Sequence, residues 1–307
     1  MKVSVIIPVY NKAEYVGACL ENTLQQNFDD FEVVCVDDGS TDGSGDICDQ
    51  WAAKDNRIKV FHTENGGVTA ARRLGLEHSN GKYVIFVDSD DWLMPDALKV
   101  MHETIEKTNA DEVVGTFENQ YNAFSSVVYR GFVDTKQIKH LVITHKIYFL
   151  SFCGNLFSRE KILDCLDLSR NIISGEDLLT VLKFLMKSPK VYFIENCVYH
   201  YNCGIPNNRK FSLEKEILYD TLLRQILASE WETYQSDYVF HQIKQYEEFL
   251  ILGDYDVYKK YYQHAIPSPL PTGIPLFRRC VWFLPPRIAR LFVMIYRKLL
   301  TLKGGIW

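Results

Sequence analysis

Directly after the apolar run YVIFV stand Asp88, Asp90 and Asp91, three aspartates within four residues. Asp88 and Asp90 flank Ser89, and two positions apart at a strand's end they are expected on one side of the chain. Carboxylate oxygens so placed suit a hard divalent cation, Mg²⁺ or Mn²⁺. Such an ion offsets the charge of a phosphate leaving group without needing a proton. A single aspartate at a strand end is commonly a solvated turn or a helix cap, but three after one apolar run are harder to read that way. Cys197, His200 and Cys203 imitate a zinc site, yet three ligands with no fourth nearby make a poor one.

These side chains need a scaffold, and the amino-terminal half supplies one. Apolar runs SVIIPVY, EVVCVDD, IKVFHT and YVIFVD alternate with helical spacing at Val16, Leu20 and Leu24, at Ile47 and Trp51, and over 68–78. Four strands separated by helices predict βαβ crossovers and a parallel sheet. The runs are continuously apolar rather than alternating, as a sheet covered on both faces requires. Three of them end in polar groups, at Tyr10–Asn11, Asp37–Asp38 and Asp88–Asp91, so one sheet edge becomes the ligand crevice of an open α/β fold. Pro95 and Asp96 suit the first turn of a helix carrying Leu98, Met101 and Ile105. Short strands are expected near 113–117 and 191–201, around a helix beginning near Ser174. Residues 212–264 read as helical, and prolines at 267, 269, 271 and 275 as a linker.

The motifs VSVIIPVYN (3–11), VDDGSTDGS (36–44), NGGVTAARRLG (65–75) and YVIFVDSDDWL (83–93) resemble family 2 glycosyltransferases in order and spacing. The resemblance covers roughly residues 1–205. It implies an α/β GT-A fold, a Rossmann-like and mostly parallel sheet flanked by helices, here followed by a C-terminal helical extension. It also implies an inverting, metal-dependent transfer of a hexose or N-acetylhexosamine from a nucleoside-diphosphate sugar, UDP above all, to a glycan or lipid-linked glycan in bacterial surface polysaccharide synthesis. The domain expectation is 1–205 for transfer (1–110 nucleotide-binding, 111–205 acceptor), 206–265 helical, and 266–307 a proline-rich linker and basic helix.

Carried over position by position, the resemblance places Pro8, Tyr10 and Asp38 around the nucleoside and Arg72 near the nucleotide or diphosphate. Ser89 and Asp88 fall to the donor, with Asp88 on the ribose or metal and Asp90 as principal metal ligand. Asp177 in SGEDLLTVL resembles the family's Glu-Asp motif, whose aspartate acts as base, with Glu176 as the fallback base or an acceptor-hydroxyl ligand. Ser174 and Asp177 also fit a capping box, so a structural role competes. His200 in VYHYN resembles a histidine that meets metal or diphosphate in some relatives, against its alternative as a satisfied core residue. Arg73 stands where the family usually has Asn, and Asn202 follows Tyr201 where many relatives carry Arg. Arg209 or Lys210 are candidates for that missing charge. Gly66 and Gly67 either admit an anion to backbone amides or form a tight turn.

At 307 residues and 47% hydrophobic content the chain can bury a sizeable core. Eight scattered cysteines without a CxxC pair, and an N-terminus whose apolar run Pro8 interrupts, predict a cytoplasmic protein. Net charge is −5, but residues 257–307 hold nine Lys or Arg and no Asp or Glu. Over 287–303, Ile288, Leu291, Phe292, Ile295, Leu299 and Leu302 share a helical face beside Arg287, Arg290, Arg297 and Lys298. That pattern predicts peripheral contact of residues 280–307 with an anionic membrane, or else docking on the acidic body or a second subunit. No nucleic-acid motif accompanies the charge. Two other functions compete with transfer. Nucleotidyltransfer needs a basic, glycine-rich triphosphate loop that VSVIIPVYN does not offer, and a catalytically degenerate nucleotide-binding subunit of a membrane-associated assembly is opposed by Asp88, Asp90 and Asp177.

Overall fold

A computed structural model describes residues 1–119, 129–146, 152–169, 171–172, 175–203, 213–252 and 266–302. The chain forms two compact units, Met1–Val142 with Ile147–Ile226, and Ile143–Lys146 with Leu227–Trp307.

In the first unit the four apolar runs are β1 (Val3–Val9), β2 (Phe31–Asp37), β3 (Ile58–His62) and β4 (Tyr83–Phe86), all parallel in the order β3-β2-β1-β4. Every residue of β1, β2 and β4 is buried; of the crossovers α1 (Val16–Leu24), α2 (Ser44–Ala52) and α3 (Val68–Glu77), α3 packs on β1 and β2 and α2 on β2 and β3. Helix α3 lies so close to β1 that a Cβ on Gly75 would stand 2.5 Å from Ile6 Cγ2. Asp96 precedes α4 (Ala97–Thr108), which buries Leu98, Met101 and Ile105 as the spacing predicts.

Beyond β4 the sheet turns mixed. The short strand β8 (Leu156–Ser158) pairs antiparallel with both β4 and β6 (Glu112–Asn119). Strand β9 (Val191–Tyr201) runs parallel to β6, and β5 (Trp92–Leu93) and β7 (Gly131–Val133) pair antiparallel with β9. Strands of two or three residues carry no periodic signal, which is why the sequence announces β6 and β9 but not the others. The remaining helices are α5 (Thr135–Ile143), α6 (Arg159–Ile162), α7 (Glu176–Met186) and α8 (Leu213–Leu227).

The amino-terminal end of the sheet holds a buried charge. Glu32 accepts hydrogen bonds from Ser4 Oγ at 2.7 Å, Asn80 N at 2.6 Å and Lys59 Nζ at 2.7 Å. Burial pushes its carboxyl up, but Lys59, Asn80 and Ser4 outweigh burial and bring it down to about 2. A carboxyl depressed on folding stabilises the native state fully above its unfolded value near ~4.3, and that contribution is lost as pH falls toward the folded value. Glu32→Gln should therefore lose about 2 kcal/mol at neutral pH. Denaturant titrations of the two proteins should converge as pH falls through this window.

The second unit contains α9 (Trp231–Leu252) and, after the prolines, α10 (Leu276–Phe283) and α11 (Pro286–Leu302). The helical expectation for 212–264 is met over α8 and α9, while 253–265 lie outside the described residues. Arg278 of α10 lies 3.1 Å from Glu247, and the Trp282 ring meets Tyr246 edge-on at 5.3 Å. On α11, Ala289 and Val293 are buried, Arg290 donates to Ile251 O at 3.2 Å and Arg297 pairs with Glu248. Among the described residues no helix is long and apolar enough to cross a membrane.

Candidate active site

The carboxyl end of β4 meets the start of α7 through one side chain. Arg72 rises from α3 and is buried, its side chain 4% exposed. Its Nη1 donates to Asp177 Oδ1 at 2.6 Å and its Nη2 to Asp88 Oδ1 at 2.9 Å. The guanidinium also lies over the Phe152 ring at 5.4 Å and 3.3 Å from Cys153 Sγ. Burial opposes its charge, but Asp177, Cys153 and Asp88 overcome that and hold it firmly protonated. Both carboxylates are one-third exposed, at 34% each, so the ion-paired group still faces solvent.

Asp177 reaches this position because α7 begins one residue late for a capping box. The N-cap is Gly175, at φ +79°, a left-handed conformation that favours glycine. No side chain caps the helix, and Asp177 turns to Arg72 instead. Ser174 lies outside the described residues. Glu176 is only 2% exposed, so of the adjacent pair Asp177 is the one with solvent-facing surface.

The acidic turn is anchored from below. Asp91 is buried, accepting from Tyr199 Oη at 2.7 Å and Asn202 N at 2.8 Å. The same hydroxyl accepts from Asp88 N at 3.1 Å. Burial, then the charge of Asp88, raises the Asp91 carboxyl to about 8. Ser89 is buried, and Asp90 pairs with Lys12. Lys12 escaped the sequence reading, although a basic residue directly after Tyr10 and Asn11 at the end of β1 was a usable signal. Tyr199 carried no such signal, because its contact with the turn depends on the pairing of β5 with β9.

Pro8 is buried within β1, whereas Tyr10, just past its end, is 49% exposed. Asp38 is buried and accepts from Gly66 N at 2.7 Å and Gly67 N at 2.9 Å, so its carboxylate organises the loop leading into α3. Burial outweighs those two amides and raises its carboxyl. His200 stacks on Trp92 at 4.0 Å with its Nδ1 3.2 Å from Glu118, and Asn119 donates to Cys203 Sγ at 3.1 Å. Arg209 and Lys210 lie outside the described residues.

Among the described residues no three His, Cys, Asp or Glu side chains gather as metal ligands. The chemistry of Asp88 and Asp90 nevertheless fits a hard cation, since Mg²⁺ is commonly held by one or two carboxylates with phosphate and water completing the shell. Both carboxylates already bear a cationic partner, Arg72 or Lys12.

The sequence profile described as Glycosyl transferase family 2 matches residues 4–166. The chain belongs to glycosyltransferase family 2. Among curated relatives it is 39% identical over 118 residues to Glycosyltransferase GlyG of Streptococcus pneumoniae serotype 4, a match spanning 38% of this chain and 39% of that protein. It is 32% identical over 212 residues to the cholesterol galactosyltransferase of Borreliella burgdorferi, spanning 64% of this chain and 59% of that one. The crystal structure of Staphylococcus aureus TarS 1–349 in complex with UDP-GlcNAc superposes at a TM-score of 0.74 and 21% identity, covering 100% of this chain and 93% of that one. That likeness is one of fold, and the family 2 chain has the expected α/β GT-A architecture with a C-terminal helical region.

Proposed function

We propose that this family 2 protein is an inverting, metal-dependent glycosyltransferase. It moves a hexose or N-acetylhexosamine from a nucleoside-diphosphate sugar, UDP in the first instance, to a hydroxyl of a glycan or lipid-linked glycan in surface polysaccharide synthesis. Residues 1–205 carry the transfer, with 1–110 binding nucleotide and 111–205 the acceptor. The single observation that supports this most is Arg72 joining Asp88 to Asp177, because it brings a leaving-group carboxylate and a candidate base to one crevice. The exposed Tyr10 is available to pack on the base at the same sheet edge.

In this reading the acceptor oxygen forms a bond to the anomeric carbon as the bond from that carbon to the diphosphate breaks. Asp177 takes the acceptor's proton, and the departing electron pair stays on the diphosphate. Asp88 and Asp90 would hold Mg²⁺ or Mn²⁺, and the positive charge this would supply suits a departing diphosphate. Arg72 orients Asp177 through Oδ1 and fixes its distance from the acidic turn, and Lys12 holds Asp90 in the same turn. His200 is kept as a candidate third ligand only through a nitrogen other than the one facing Glu118. A lipid-linked acceptor places the enzyme in the cytoplasm, peripherally on the inner face of the cell membrane.

A panel of nucleotide sugars tests the proposal. One donor should raise the melting temperature in the presence of Mn²⁺ and be slowly hydrolysed, and chelation should abolish both effects. Tight UDP binding without hydrolysis or transfer of any donor sugar would instead favour a degenerate nucleotide-binding subunit.

A further inference from the structure

Helix α11 satisfies one face internally and leaves the other bare. The face carrying Ala289 and Val293 is buried, and Arg290 and Arg297 tie that side to Ile251 O and Glu248. The opposite stripe, Ile288, Leu291, Phe292, Ile295 and Leu299, is 47–57% exposed along its length. From α10, Leu276 at 76% and Phe283 at 62% add further exposed apolar surface. A soluble surface does not ordinarily carry so continuous an apolar face. Arg287 and Lys298 border the stripe, are exposed, and form no ion pair with another described residue. Docking of α11 on its own chain is thus already accomplished by the other face, and the stripe needs a different occupant.

We infer that the stripe of α11 lies flat in the headgroup boundary of an anionic lipid bilayer, with Arg287 and Lys298 on the phosphates. Charge selects this occupant, because residues 257–307 contain nine basic side chains and no acidic one. A helix with large apolar residues on one side and Arg or Lys beside them sits in the interface rather than across it, in keeping with the absence of a spanning helix among the described residues. A second copy seated stripe against stripe would bring two basic tails together, like charge on like charge. The inference rests on the lipid-linked acceptor of the proposed function for its purpose, but not for its physics.

Flotation of the full chain with vesicles of equal phosphatidylcholine and phosphatidylglycerol tests it. The wild type should float with these vesicles and weakly with phosphatidylcholine alone. Leu291→Glu with Ile295→Glu should lower partitioning by about tenfold or more, since each side chain loses its apolar burial. Arg287→Glu with Lys298→Glu should lower it by about fivefold or more per position, and added salt should mimic that variant alone. Melting temperature and donor hydrolysis should not change in either, which separates loss of the membrane contact from loss of the transfer site. Wild type that stays free of anionic vesicles, or variants that float as it does, overturn the inference. So does a dimer seen by light scattering that Leu291→Glu dissolves without affecting flotation.

Discussion

Asp177→Asn should lower the rate of sugar transfer by roughly 10²–10⁴-fold, the usual contribution of a positioned base. UDP and donor binding, read by calorimetry, should stay at the wild-type level. The substitution keeps the shape of the side chain, and its amide oxygen still accepts from Arg72 Nη1, so the geometry survives while proton uptake does not. The fall should appear in kcat with little change in donor KM. Glu176→Gln is the matching control: its side chain is buried, so its effect should appear in melting temperature rather than in kcat. Normal transfer by Asp177→Asn would remove Asp177 from the role of base.

Arg72→Met carries the second large effect, because it acts on stability and catalysis together. Removing one partner of a buried ion pair commonly costs about 3–5 kcal/mol. Asp88 and Asp177 are each one-third exposed, so solvent relieves part of that penalty and the lower end applies. About 3 kcal/mol corresponds to a drop of roughly 6–12 °C in melting temperature for a domain of this size. Without the guanidinium the two carboxylates repel each other, Asp177 loses its orientation, and kcat should fall even at temperatures where the variant is folded. Arg72→Lys discriminates between charge and geometry: a single ammonium restores charge but not the two-ended grip on both aspartates. It should recover melting temperature more than kcat. Full recovery of kcat by lysine would mean that Arg72 acts by charge alone.

Local sequence determined much of this molecule. The continuous apolar runs determined β1 to β4, their parallel direction and the shared edge that carries Tyr10, Asp38 and Asp88, because strands buried on both faces leave an unmistakable pattern. Linked motifs brought the family, and the stripe on α11 was legible because a helix repeats at a fixed spacing. Tertiary structure alone decided the partners. The choice for Asp177 between capping box and crevice turned on Gly175 taking the N-cap in a left-handed turn. Tyr199 reached Asp88 and Asp91 through a pairing of β9 with a two-residue strand. Arg72 met an aspartate 105 positions away, a contact that no window of local sequence encodes. Periodicity reports which face of an element is buried, whereas the closing of ion pairs depends on where remote elements dock, and that is settled only when the whole sheet has assembled.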